Sequence, residues 1–115
     1  MEINKKIEQG VLVVYLSGNL LGEHANGPIL ELVRQNLESG VNKIIFSLKE
    51  VKFINSTGFG MFMSALARVR NAGGELILAE LPDNVQKLMN MMKLDAIFLI
   101  SVSVQDAQER LALLK

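Results

Sequence analysis

Cysteine and tryptophan are absent from this 115-residue chain, and histidine occurs once, at position 24. Without cysteine there is no disulfide and no thiolate to act as nucleophile or metal ligand, so a reducing compartment is permitted. No cluster of His, Asp and Glu stands at metal-ligand spacing, and no metal is expected. No glycine-rich loop of the nucleotide-cradling kind occurs either, so the chain is not expected to carry its own ATP chemistry or any cofactor. An excess of one charge is also missing, because 12 Lys and Arg balance 12 Asp and Glu. That excludes an electrostatic footprint for direct nucleic-acid binding and favours a partner recognised by shape and apolar contact. The longest apolar stretches, such as residues 11–16 and 96–100, fall far short of the roughly 20 residues of a membrane span. Met1, Glu2, Ile3, Asn4, Lys5 and Lys6 lead into no apolar run of signal-peptide type. A cytoplasmic protein without membrane insertion is the expectation.

What is abundant is apolar side chain, 50% of the residues, enough for one packed core in one domain spanning residues 1–115. Residues 3–8 and 11–17 read as two strands joined at Gln9 and Gly10, a short hairpin signal. Residues 18–22 then lead out of the sheet. Asn26, Gly27 and Pro28 read as a helix start with the proline in the first turn. Ile29, Leu32, Val33 and Leu37 follow at helical spacing, and Gly40 closes that helix. Residues 42–48 form a buried strand, and a second helix covers about residues 57–71, with Phe59, Phe62, Leu66 and Val69 along one face. Residues 75–80 are the next strand. Asp83 is expected to cap a third helix carrying Val85, Leu88, Met89 and Met92. Residues 96–100 make a last strand, and Ser103 with Asp106 opens a last helix. The order ββαβαβαβα predicts an α/β fold: a mixed sheet with a parallel inner part, an antiparallel N-terminal hairpin and about four packed helices.

The stretch Asn55-Ser56-Thr57-Gly58-Phe59-Gly60 is unusual for a helix start. Two glycines in the first turns each give up as much as about 1 kcal/mol relative to alanine. They also clear side chains from the surface around Thr57. Ser56 and Thr57 place hydroxyls where unpaired N–H groups and the helix dipole favour negative charge. A phosphate there would add roughly −1.5 to −2 charges to a neutral surface. On physics alone, two readings stay open: a plain N-cap with ordinary turn glycines, and a surface that a modification can switch.

Taken whole, the chain resembles STAS domains, the bacterial anti-sigma-factor antagonists. The matching pieces are Val13-Val14-Tyr15-Leu16-Ser17-Gly18-Asn19-Leu20, Phe53-Ile54-Asn55-Ser56-Thr57-Gly58-Phe59-Gly60, Gly73-Gly74-Glu75-Leu76, and the tail from Leu88-Met89 through Leu94-Asp95-Ala96-Ile97-Phe98 to Ser103 and Leu111. The central motif in the family is usually Asp-Ser-[Ser/Thr]-Gly-[Leu/Phe]-Gly. The resemblance implies a non-enzymatic phosphoprotein of transcription regulation that docks reversibly to an anti-sigma factor which is also a serine/threonine kinase. Unphosphorylated antagonist binds that partner and frees the sigma factor, phosphorylation abolishes binding, and a phosphatase restores it. By motif position the phosphoacceptor is Thr57, with Ser56 as second choice. The implied contact surface comprises Asn19, Leu21, Glu23, His24, Asn55, Ser56, Gly58, Phe59, Gly60 and Met61, in a monomer or homodimer. Two departures stand out: Asn55 replaces the motif's acid, and Leu21 stands where an acid commonly follows the second strand. Both remove negative charge near Thr57. They keep open an alternative, a constitutive unphosphorylated scaffold, stressosome-like or associated with a lipid-transport permease.

Other residues take plainer readings. His24, with no acid to orient it, reads as a surface or capping histidine. Met61 is expected on an exposed helix face with Ser64 and Arg68, as a flexible contact for a partner. Met89, Met91 and Met92 read as core and edge packing, and Asp83, Asp95 and Asp106 as cap and turn residues.

Overall fold

The computed structural model describes residues 2–114, with the side chains of Glu23, His24 and Ala25 outside that description. Strand β1 (Glu2–Glu8) turns through Gln9 and Gly10, at φ 55° and 77°, into β2 (Val11–Leu20). Two successive left-handed residues give the tight two-residue hairpin whose twist matches that of its strands. Then follow α1 (Glu23–Glu38), β3 (Lys43–Ile54), α2 (Ser56–Asn71), β4 (Glu75–Ala79), α3 (Asp83–Met91), a one-turn 3-10 helix (Leu94–Ala96), β5 (Leu99–Ser101) and α4 (Val104–Ala112). The strands lie in the order β1-β2-β3-β4-β5, antiparallel at the hairpin and parallel at every later pairing. This is the α/β architecture and element order expected from the sequence.

Successive right-handed crossovers that all advance the same way put their helices on one face of the sheet. The larger core cluster accordingly joins Ile29 and Val33 of α1, Phe62 of α2, and Val85 and Met89 of α3 to Leu12, Phe46 and Leu78 of the sheet. Opposite, α4 sets Ala107 and Leu111 against Val13, Ile45 and Ile77. Ser103 starts that helix as expected, its hydroxyl accepting from the Asp106 backbone N–H at 2.9 Å.

Several element bounds differ from the sequence expectation, each for a local reason. Residues 18–20 do not leave the sheet but prolong β2, and β3 runs on from Leu48 to Ile54. The two strands stay paired there because β3 carries an extra residue at each of two register shifts. α1 begins at Glu23, so Pro28 is its sixth residue, not part of its first turn. The missing N–H removes a single intrahelical bond near the end, where the loss is cheapest. Asp83 is the first residue of α3 and not its cap; Pro82 holds the cap position, without a side-chain bond. The last strand starts at Leu99 because residues 94–96 form the 3-10 turn. Met89 is core, but Met91 and Met92 are 78% and 44% exposed, so the packing role expected of them does not hold.

Candidate functional site

β4 last pairs with β3 at Ser47, whereas β2 and β3 continue together to Leu20 and Ile54. A two-stranded ribbon therefore rises past the carboxyl end of the inner sheet, the end at which all the βα connections sit. The chain leaves the ribbon at Leu21 and at Asn55, and these two exits are tied to each other. The Asn55 backbone N–H donates to the Leu20 carbonyl at 3.3 Å. Its side-chain oxygen accepts from the Gly58 N–H at 2.9 Å, capping α2. Its side-chain amide donates to the Leu21 carbonyl at 2.8 Å. One amide thus serves as helix cap and loop brace together. A carboxylate in its place would keep the cap and lose the brace, because an ionised acid donates nothing.

Ser56 and Thr57 are the first two residues of α2, and both are exposed. The first turn of α2 contains no acidic residue. The positive end of the helix dipole is therefore left without a neighbouring carboxylate in that turn. Thr57 is held from two sides. Its carbonyl accepts from the Asn26 side-chain amide at 3.3 Å. Its γ-methyl lies beside Gly22, where an added Cβ would sit 3.4 Å away. Gly22 has φ 136°, a conformation that side-chain-bearing residues rarely adopt.

The two motif glycines have different jobs. A Cβ on Gly58 would run into the Leu20 carbonyl oxygen and reach within 2.8 Å of Ile54 Cγ1. Gly58 is thus required by the approach of α2 to the ribbon, not by a partner's approach to the surface. A Cβ on Gly60 would meet nothing within 4 Å. Gly60 lies three residues after Thr57 and four after Ser56, on their side of the helix, and it keeps that surface low.

Of the residues expected at the contact surface, Asn19, Leu21, Asn55, Ser56, Thr57 and Gly60 are exposed around the ribbon end. Glu23 and His24 lie outside the described side chains. Gly58, Phe59 and Met61 are buried, which corrects their assignment as contacts. Phe59 packs edge-on to Phe62, with ring centroids 6.4 Å apart. Met61 is 2% exposed and belongs to the main core. The single-stripe reading of α2 overlooked α1, which packs along α2 and covers a second flank. Met63 is the half-exposed methionine of this helix. Sequence reasoning gave Gly22 no role beyond the segment leading out of the sheet, and absorbed Asn26 into an assumed helix start. It also missed Phe53, which is 62% exposed on the ribbon. Among the described residues no group of three His, Cys, Asp or Glu could hold a metal ion. No described helix is long and apolar enough to cross a membrane.

The chain is thus a five-stranded α/β domain whose second helix opens with exposed hydroxyls at the sheet's carboxyl end. The sequence model of the STAS domain matches residues 2–107, and the chain belongs to that family. The chain is 28% identical over 96 residues to an anti-sigma F factor antagonist of Paenibacillus polymyxa, covering 79% of this chain and 78% of that one. In three dimensions it resembles a Thermotoga maritima protein assigned as an anti-sigma factor antagonist, with TM-score 0.87 and 23% identity over 96% of this chain and 94% of the other. It also resembles the Bacillus cell fate determinant SpoIIAA in its phosphorylated form, with TM-score 0.74 and 19% identity over 95% of this chain and 98% of the other.

Proposed function

We propose that this protein is an anti-sigma factor antagonist, and that it docks through the ribbon end and the start of α2 onto an anti-sigma factor that is also a serine/threonine kinase. Thr57 is the phosphoacceptor, with Ser56 as second choice, and a phosphatase reverses the modification. The docking surface comprises Asn19, Leu21, Asn55, Ser56, Thr57 and Gly60. No catalysis by the chain itself is part of this reading.

The observation that carries the proposal is the setting of Thr57. It is exposed at the second position of a 16-residue helix whose first turn bears no acid, and open space stands over Gly60 beside it. A kinase can approach such a hydroxyl closely. A phosphate placed there meets the positive end of the helix dipole, so the fold tolerates it. The same group brings roughly −1.5 to −2 charges into a helix start whose first turn carries none, which opposes an apolar contact by desolvation and repulsion. The names of the relatives support this reading, and one of them exists in a phosphorylated form.

The test is intact-mass analysis of protein purified from its native cells, with peptide mapping across residues 54–68. A phosphate on Thr57 that disappears in Thr57→Ala is the expected result. Its consistent absence under varied growth and stress conditions refutes the switch and leaves an unphosphorylated scaffold on the same fold.

A further inference from the structure

Phe53 is the least expected side chain on this molecule. β3 buries Ile44, Phe46 and Leu48 at the two-residue period of a strand, then Val51, then Ile54. The period changes from two to three because Tyr15 and Ser17 of β2 pair with Ser47 and Glu50, and Gly18 and Asn19 with Val51 and Phe53. Each step inserts one extra residue into β3, and an inserted residue re-aims every side chain after it. The second one, at Lys52, turns Ile54 inward and leaves Lys52 and Phe53 both exposed. The backbone is fixed in that arrangement, since the Asn84 side-chain amide donates to the Lys52 carbonyl at 2.8 Å.

The outcome is a crest with apolar side chains in water. Phe53 is 62% exposed and Leu21 52%, at the ends of neighbouring strands and on either side of the Asn55 brace. With exposed Glu50 between them, Lys49 and Lys52 are exposed on the same stretch of β3. Neither is in an ion pair among the described residues. The bulge thus puts Ile54 in the core and displays an aromatic ring on the ribbon, four residues before Thr57, and aromatic anchors of this kind dominate protein interfaces.

We infer that Phe53, with Leu21, is the apolar anchor of the docking surface, and that the partner meets it with an apolar pocket rimmed by a carboxylate that faces Lys52. The inference rests on the anti-sigma factor reading above and adds the side chain that supplies the affinity. The anchor and Thr57 have separate duties. Phe53 contributes binding that is equal in the ground state and the transition state of phosphoryl transfer, whereas Thr57 supplies the reacting oxygen.

The experiment uses the full chain and the purified anti-sigma kinase encoded in the same genome, with affinity measured by calorimetry and Thr57 phosphorylation followed in parallel. Phe53→Ala should weaken binding by roughly 30-fold, the size of an interface hot spot, and raise KM with kcat unchanged. Its midpoint of thermal unfolding should stay within about 2 °C of the parent, because the ring is exposed. Phe53→Leu should recover most of the affinity. Lys52→Glu should weaken binding at low salt, with the difference shrinking as salt is raised. Ile97→Ala, an exposed apolar residue at the opposite end of the sheet, serves as the unaffected control. If the parent binds and Phe53→Ala binds within about twofold of it, the anchor is refuted while the function stands. If the parent itself neither binds nor is phosphorylated, both are overturned.

Discussion

The two glycines of the central motif, two residues apart in one helix, should respond to the same substitution with opposite signs. Gly60→Ala adds a methyl where nothing stands within 4 Å. It should stabilise the protein by about 0.5–1 kcal/mol through helix propensity and the reduced freedom of the unfolded chain. Gly58→Ala gains the same propensity but drives its methyl into the Leu20 carbonyl oxygen and to 2.8 Å from Ile54 Cγ1. The carbonyl cannot easily yield, because it also accepts from the Asn55 N–H at 3.3 Å. Overpacking costs typically 1–3 kcal/mol and more against rigid backbone, so the net loss should be about 1–2 kcal/mol. For a domain of this length 1 kcal/mol corresponds to about 4 °C. Calorimetric scans should then show Gly60→Ala rising by about 2–4 °C and Gly58→Ala falling by about 4–8 °C. A matched urea series checks that the slope is unchanged and that stability itself is being compared. Shifts of the same sign would refute the division of labour between the two positions. Gly60→Ala carries a second readout: a more stable protein should bind its partner less well if the cleared surface over Ser56 and Thr57 is used.

Other substitutions test other parts of the reasoning. Met61→Ala should cost about 2–5 kcal/mol as a core truncation, while Met63→Ala stays within about 0.5 kcal/mol; denaturant midpoints decide, and equal effects would overturn the burial argument. Asn55→Ala removes cap and brace together and should lose about 1–2 kcal/mol. Asn55→Asp keeps the cap and gains a charge favoured by the dipole, so it should fall between Ala and the parent in thermal unfolding. The same variant should be phosphorylated faster if the kinase reads a carboxylate at this position, which a time course of phosphate incorporation measures. Ser103→Ala should lower stability by about 1 kcal/mol through loss of the α4 cap, and early amide exchange in α4 would report it.

The fold was legible because most elements keep one period and end on recognisable chemistry. Gly10 marks the hairpin, Ser103 with Asp106 opens α4, and Asn55 caps α2. Two things hid the rest. Bulges break the strand period in β3, so the sequence pattern ends the strand at residue 48 although it continues beside β2 to Ile54, and nothing in the pattern marks Phe53 as exposed. A second covered flank hides in a helix pattern: Met61 reads as exposed when α2 is imagined against the sheet alone, and becomes core once α1 lies along it. Pro28 misled for a third reason. Proline is at home in a first turn, and nothing in the sequence says that the helix has already begun five residues earlier. At the site, the motif located the hydroxyls. The brace from Asn55 to Leu21 and the contact of Thr57 with Gly22 join positions about 35 residues apart, which no local pattern reveals.

Because each strand lies beside the next one in the chain, the molecule can be assembled in the order in which it is synthesised. Every side chain of the crest, and each group that braces Asn55 and Thr57, falls between residues 19 and 60. The bond from Asn84 to Lys52 ties the later half to the ribbon. The contacts of Asn26, Leu21 and Gly22 with the start of α2 span 31 to 35 residues, and the entropy of closing such loops grows only slowly with their length. All of these residues have been synthesised once α2 is complete, before β4, β5 and their helices, which then supply the rest of the core. The two halves are open to separate change: α3, β5 and α4 can drift in sequence while the crest keeps its shape, provided that position 84 still reaches the ribbon.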